Sequence, residues 1–510
     1  MLSDYFPSGY IPREIQTQIL TKLEKVLDND KKFIVLRAPT GTGKSAICTT
    51  LSKWAKEHLG ESSYLICSRK HLQTQYMDDH SSVYKNFWGK NNYTCPLISA
   101  SCSGCPADNM PTKKGYTGFL SSNCTSKDLG DKCPYIAARK AAAGADSSLL
   151  NIEAFIANSI NGMWKKRALL LIDEAHCLSD RICGFFEIKV NRGWLDRGID
   201  LKAPGLTEKI HQSYKNRLQV LASSKLNIPP SLTKSLAILK IPGVEWLYDP
   251  FKEVLVPYKS RELLLKYLFS YGEKVVLLSA TISPNLAAEI GINGKNATYI
   301  DVPSSFSPRS NIIHHVPKVG SLNTKNIEEK SKIIYESIKY IAQLHVGERG
   351  IIHCTSYRIL GLLRELNNKE SPGRFIFHSR GENLDELVDT YKSTKGAILV
   401  TPSLTEGFDG KGDLLEWQVL VKCPYPSLGD PRISKFMKTP FGTKLFNERA
   451  LSTLIQTLGR GVRSSTDTCF TYILDRHIYN ALNKGMRGDS LPSYIKDIWR
   501  NRKVINHHRF

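Results

Sequence analysis

A series of short apolar runs rich in β-branched residues constrains this chain more than any other feature. Each run closes on polar or glycine-containing punctuation: "FIVLRAPT", "SYLICS", "ALLLIDEAH" and "KVVLLSAT", then "GIIHCTS", "RFIFHS", "GAILVTPS", "QVLVKCPYP" and "FTYILD". Runs apolar throughout, not in alternation, read as strands buried on both faces of a parallel sheet. Stretches with helical spacing lie between many of them, such as "SAICTTLSKWAKEHL" and "NIEEKSKIIYESIKYIAQLHV". The pattern is α/β in two sets, with a break near Pro303 to Pro317, where "DVPSSFSPRSNIIHHVP" supplies breakers. At 510 residues the chain exceeds what one core supports, so two main domains with insertions are expected.

Two segments interrupt the first set. Residues 89–140 are rich in Cys, Gly and Ser, and residues 186–260 read as a mostly helical, Lys-rich stretch ("HQSYKNRLQVLASSKL"). The first domain is then expected in three parts, 1–88, 141–185 and 261–305, and the second over 306–510. The tail "NRKVINHHRF" is basic and reads as loose.

Seventy Lys and Arg against 48 Asp and Glu leave a net charge of +22, which attracts polyanions and favours nucleic acid as the partner. No apolar run approaches the roughly 18 residues of a membrane span, and "MLSDYFPSGYIPREIQ" has neither the basic nor the apolar region of a signal peptide. A cytosolic protein without a membrane anchor is expected. In a reducing cytosol, densely spaced cysteines are metal ligands sooner than disulfides.

The chemistry begins at "APTGTGKS", which follows one strand-like run and opens a helix. Backbone N–H groups of Thr40, Gly41, Thr42 and Gly43 can cradle phosphates, with Lys44 on the terminal oxygens and Ser45 on Mg²⁺. Ala38 stands where the strict loop pattern begins with Gly. About 130 residues further on, "LLLIDEAH" ends another apolar run in two acids. Asp173 suits Mg²⁺, and Glu174 suits polarisation of the attacking water.

With these motifs in place, the chain resembles superfamily 2 helicases, specifically the XPD/DinG group that carries an iron–sulfur insertion. "REIQ" (Arg13, Gln16) resembles the adenine-side Q motif, "SRKHLQTQY" motif Ia, "LSATI" (Ser279, Thr281) motif III, and "TEGFDGKG" (Glu406, Gly407, Asp409) motif V. "QTLGRGVRS" resembles motif VI, which implies that Gln456, Arg460 and Arg463 face the γ-phosphate from the second domain. The resemblance implies two RecA-like P-loop domains with parallel sheets, an iron–sulfur insertion and a short helical arch inserted in the first domain. It implies an ATP- and Mg²⁺-dependent monomeric motor acting on single-stranded and forked DNA, travelling 5′ to 3′, with R-loops or other structured nucleic acid as further substrates. The compact size points to a minimal member, in the host cytoplasm if the source is viral. Two other readings are a translocase that remodels complexes without separating strands, and a nucleic-acid-binding protein with a decayed ATP site. The intact Lys44, Asp173, Glu174, Arg460 and Arg463 speak against the second.

Five cysteines fall within the first insertion: Cys95, Cys102, Cys105, Cys124 and Cys133. Soft sulfur ligands suit an iron–sulfur cluster or zinc. "GKNNYTC" and "KCPYIAARKAAAG" resemble the entry and exit of the family's cluster domain, so the resemblance implies a [4Fe–4S] cluster on Cys95 and Cys133, with Cys105 and Cys124 preferred for the other two positions and Cys102 as the alternative. Phe87, Trp88 and Tyr93, interleaved with Lys85 and Lys90, can stack bases or pack around the cluster; packing is the expectation for Tyr93.

Overall fold

In a computed structural model, the structure describes residues 1–95, 100–101, 133–201, 205–224, 226, 228–370, 373–402, 412–462, 464 and 466–505. Cys102, Cys105, Cys124, Glu406, Gly407, Asp409 and Arg463 lie outside the described residues.

The apolar runs become strands of two parallel seven-stranded sheets. In the first, β1 (Phe33–Arg37), β2 (Ser63–Cys67), β3 (Lys85–Phe87), β4 (Ser147–Asn151), β5 (Arg167–Asp173), β6 (Gly272–Ser279) and β7 (Ala297–Asp301) run in the order β7-β1-β6-β5-β2-β4-β3. In the second, β8 (Asn311–His315), β9 (Gly350–His353), β10 (Phe375–Phe377), β11 (Ile398–Thr401), β12 (Trp417–Leu420), β13 (Cys469–Ile473) and β14 (Lys503–Val504) run β10-β11-β9-β12-β13-β8-β14. The central strands are buried on both sides because helices cover both faces; Ile34, Val35, Leu170, Leu277, Ile351 and Val419 have no or almost no exposed surface. Motif-bearing β1, β5 and β6 are neighbours, in register from Phe33↔Val275 and Leu170↔Val275, which brings their carboxyl ends to one edge.

Seven helices matter for the site: α1 (Glu14–Leu27), α2 (Lys44–Leu59), α3 (Leu178–Phe185), α4 (Pro284–Glu289), α5 (Pro431–Met437), α6 (Gly442–Leu458) and α7 (Ser493–Arg500). The first two flank the glycine-rich loop. The next two directly follow the DEAH and SAT segments, and α5 and α6 belong to the second domain.

Three expectations change. The break at Pro303 to Pro317 contains strand β8, because "NIIHH" is bounded, not interrupted, by its prolines; Ile313 is buried and His314 packs against the Tyr472 ring at 5.1 Å. The tail is not wholly loose, since β14 pairs with β8 through His314↔Lys503 and His315↔Val504. The stretch 186–260, expected as mostly helical, combines helices Leu206–Ser223 and Pro230–Leu239 with a three-stranded antiparallel sheet of Ile188–Lys189, Val254–Pro257 and Trp246–Asp249. The segment "EWLYDPFKEVLVPY" forms a hairpin because its aromatic and β-branched residues flank a turn in which Asp249 accepts from the N–H groups of Phe251 (2.9 Å) and Lys252 (3.2 Å).

Candidate nucleotide site

Between β1 and α2 the chain turns through Gly41 (φ 79°) and Gly43 (φ 76°), conformations that glycine adopts without steric cost. A Cβ on Gly43 would meet the ends of the Gln16 and Arg13 side chains, which lie against the loop at this point. Gln16, buried at the third position of α1, accepts from the Arg13 backbone N–H at 2.9 Å and donates to the Thr42 carbonyl at 3.1 Å. The adenine-side residues expected from sequence are therefore fastened to the phosphate loop itself. Thr42 is buried and donates its hydroxyl and its backbone N–H to the Pro39 carbonyl, at 2.8 and 3.5 Å, beside the N-terminus of a 16-residue helix, an end whose dipole favours an anion. Lys44 and Ser45 are the first two residues of that helix, both half-buried.

Facing the loop, β5 ends in Asp173 and Glu174. Asp173 is buried and accepts from the Tyr76 hydroxyl at 3.0 Å and from the Glu174 N–H at 2.9 Å. Burial first, and the neighbouring Glu174 charge second, push its carboxyl up to about 6, against the opposing pull of Lys44 and Tyr76. Adjacent carboxylates of this kind are hard oxygen donors that fit a divalent cation. Glu174 adopts a left-handed backbone conformation (φ 53°), rare outside glycine, which aims its carboxylate at both Lys44 (3.8 Å) and His176 (3.3 Å).

The second wall comes from α6 and the turn after it. Thr40 of the loop donates to the Gly459 carbonyl at 2.9 Å. Gln456 hydrogen-bonds His176 through its amide, and the other ring nitrogen of His176 lies 3.0 Å from the Ser279 hydroxyl. Ser452 donates to Thr281 at 2.9 Å, and the Thr281 N–H reaches Ser279 at 3.1 Å. The DEAH, SAT and motif VI segments thus form one hydrogen-bonded layer across the two domains. Arg460 is buried just beyond α6. Its charge adds to burial in lowering His353 to about 3, and adds to burial and Arg69 in lowering His71.

Lys44, Asp173, Glu174, Thr40 and Gln456 therefore converge on one cleft, with Arg13 and Gln16 behind the loop. His176 had no assigned role in the sequence although it is the last letter of DEAH; its place between Glu174, Ser279 and Gln456 is a tertiary fact. Tyr76 was equally silent, lying in the "SRKHLQTQY" segment. Phe87, a stacking candidate, is fully buried against Tyr135 (5.3 Å) and Trp164 (6.0 Å), while Tyr93 packs on Tyr135 at 5.6 Å. Trp88 remains half-buried with the Lys70 ammonium 5.6 Å from its ring. The contact between Tyr93 and Tyr135 holds together the two ends of the Cys-rich segment, where Cys95 and Cys133 are both buried. Among the described residues, no three or more His, Cys, Asp or Glu side chains form a metal-binding group, and no helix is long and apolar enough to cross a membrane.

Residues 340–493 match the family model "Helicase C-terminal domain" and residues 9–194 that of "Type III restriction enzyme, res subunit". The chain is 22% identical to the ATP-dependent DNA helicase YoaA of Haemophilus influenzae, over 92% of each chain. It is 28% identical to the 3′-5′ exonuclease DinG of Bacillus subtilis, over 46% of this chain and 27% of that one. Among solved structures, an XPD helicase superposes with a TM-score of 0.65 at 16% identity, covering 98% of this chain and all of the other, and Xpd4 of S. tokodaii with 0.62 at 15%, covering 97% of this chain and all of the other.

Proposed function

Because the chain belongs to the XPD/DinG-like superfamily 2 helicases, ATP-dependent enzymes, we propose that it translocates on single-stranded DNA from 5′ to 3′ and couples ATP hydrolysis to duplex unwinding. The observation that carries the proposal is the layer Glu174–His176–Gln456, in which the carboxylate suited to orient water touches, through one imidazole, a residue of the opposite domain. Hydrolysis then depends on domain closure, which is what a motor requires. Lys44 would neutralise charge on the transferred phosphoryl group, Asp173 and Ser45 would hold Mg²⁺, which supplies charge neutralisation when bound, Glu174 would orient the attacking water, and Arg460 with Arg463 would stabilise the developing charge. Arg13 and Gln16 recognise the base edge of ATP. The +22 charge supports a phosphate-tracking path that is indifferent to sequence.

Cys95 and Cys133 would hold two corners of a [4Fe–4S] cluster, with Cys105 and Cys124 completing it and Cys102 as the alternative; the cluster would brace a segment with little core of its own. Residues 186–260 would serve as the short arch. The motor works as a monomer on single-stranded and forked DNA. The deciding experiment is strand displacement by anaerobically purified protein on substrates with opposite overhangs. A 5′ overhang should be required, and about four iron per chain should be present. Efficient unwinding from a 3′ overhang would reverse the polarity, hydrolysis without displacement would favour a remodelling translocase, and zinc in place of iron would replace the cluster.

A further inference from the structure

A second crossing of the domain seam lies apart from the phosphate loop. Arg449 of α6 forks onto Asp180, with Nη1 at 2.9 and 3.0 Å from the two carboxylate oxygens, and its Nη2 donates to Glu289 at 2.7 Å. Arg432 of α5 reaches the same acids, at 3.0 Å to Asp180 and 3.6 Å to Glu289, and donates to the Ser179 hydroxyl at 2.9 Å. Ser179 in turn donates to Glu289 at 2.6 Å. The Glu289 and Arg432 side chains are 5% and 9% exposed, whereas Asp180 is 59% exposed at the mouth of the seam. Against the partial desolvation of its place in the seam, the Arg449 and Arg432 guanidinium groups hold the Asp180 carboxyl below the usual range. The pairing is therefore matched in charge and in geometry.

The origin of the four residues gives the cluster its meaning. Asp180 stands on α3, which directly follows DEAH, and Glu289 ends α4, which directly follows the SAT segment. Arg449, Ser452 and Gln456 fall at i, i+3 and i+7 of α6, so one helical face meets the quartet, Thr281 and His176 in succession. A cavity of about 240 Å³, lined by His176, Asp180, Glu289, Arg449, Ser452 and Gln456, leaves this face incompletely packed between the quartet and the nucleotide end. Arg432 also donates to the Tyr258 carbonyl at 3.5 Å, and Phe436 of the same helix packs on the Tyr258 ring at 4.7 Å, which joins the quartet to the 186–260 insertion.

We infer that Asp180, Glu289, Arg432 and Arg449 are positioning residues: a fixed charged joint about which the Gln456–Arg460 end of α6 swings onto the nucleotide. A quartet of paired charges of this fit is harder to exchange for water than the single, separate hydrogen bonds at the phosphate end, so the seam opens there and pivots here. Losing the joint should leave nucleotide contacts intact while the motif VI end no longer reaches its station.

This inference rests on the ATP-driven reading above, and its test separates the two. In the full chain, Arg449→Met and the milder Asp180→Asn, on the open side of the joint, are compared with the parent by affinity for a non-hydrolysable ATP analogue, steady-state hydrolysis, and hydrogen exchange over residues 442–458. Analogue affinity should stay within about twofold, kcat should fall roughly tenfold or more, and the analogue should slow exchange in α6 of the parent but not of either variant. Arg449→Lys, which keeps the charge without the fork, should recover part of both effects. Unchanged kcat and analogue-dependent protection in Asp180→Asn and Arg449→Met, even with lowered melting temperatures, would reduce the quartet to a structural tie and overturn the inference. Absence of hydrolysis by the parent would overturn the helicase reading instead, and the exchange data would still decide for or against the joint.

Discussion

The phosphate end of the seam and the charged joint cross the same boundary by different chemistry. At the phosphate end the domains meet through single hydrogen bonds, Thr40 to Gly459, Ser452 to Thr281, Gln456 to His176 and, at the end of β1, Arg37 to the Asp489 carbonyl. At the joint they meet through two guanidinium groups and two carboxylates. A neutral hydrogen bond contributes a net of only about 1 kcal/mol, because water offers an equivalent partner, so the first set can be made and broken in a working cycle. Removing one member of the second leaves the other three with one uncompensated charge in a mostly buried cluster, a larger cost. The contrast teaches that closure is graded along α6: tight where nothing reacts, exchangeable where phosphate must enter and leave.

The largest effect should come from the exchangeable end. Lys44→Ala and Glu174→Gln should each lower ATP hydrolysis on the order of 10³-fold, since each removes charge placement or water orientation and neither belongs to the core. Melting temperatures should match the parent, and Glu174→Gln should still bind nucleotide. Near-normal turnover in Glu174→Gln under saturating single-stranded DNA would remove Glu174 from the mechanism. Gln456→Ala tests the cross-domain layer one step out. Hydrolysis should drop by about 10²-fold with nucleotide affinity retained, because misplacement of the His176–Glu174 pair costs rate and not binding.

What could be read beforehand divides along the same line. The strands were legible because parallel, doubly buried strands are written as continuous apolar runs, and the glycine-rich turn because Gly41 and Gly43 stand where the backbone takes positive φ between β1 and α2. The joint was not legible: Asp180, Glu289, Arg432 and Arg449 are ordinary charged residues, distant in sequence, and only the packing of α3, α4, α5 and α6 makes them partners. Strand β8 was missed because its flanking prolines look like linker. The hairpin of the insertion was missed because lysines and leucines set the helical impression of its neighbours. Buried Phe87 shows the opposite error, in which an aromatic beside lysines looks like a base platform until its neighbours are known.

His353 provides a pH test on the second domain's side of the cleft. Buried at the end of β9 beside Arg460 and hydrogen-bonded to Gln418 at 3.2 Å, it titrates in the folded chain only at about 3. The unfolded chain takes up that proton near the ordinary value of about 6.5, so the stability from neutral His353 is complete above that pH. It is lost progressively as pH falls toward the folded value, at up to about 1.4 kcal/mol per pH unit. The parent should therefore destabilise between pH 7 and pH 5, with His71, His80, His314 and His315, all lowered by burial, acting in the same direction. His353→Asn should flatten that slope, as read from denaturant midpoints at each pH; an unchanged slope would mean that His353 is not held neutral.

The smallest effect bears most directly on the difference between the two crossings. Ser452→Ala removes one neutral bond between α6 and the SAT segment and leaves the Thr281 hydroxyl buried, so it should cost about 1 kcal/mol of stability. Thr281→Val alone should cost a similar amount. The double variant should cost less than the sum, because two apolar groups in place of two bonded hydroxyls strand no polar atom, and the coupling should be of the order of 0.5–1 kcal/mol. The same cycle on Asp180 and Arg449 should give a larger coupling, since each single change there unbalances the charge of the quartet, where the hydroxyl pair loses only a dipole. Equal couplings would mean that the seam is uniform along its length, with no joint and no exchangeable end, and α6 would then have to move as a rigid whole in each cycle.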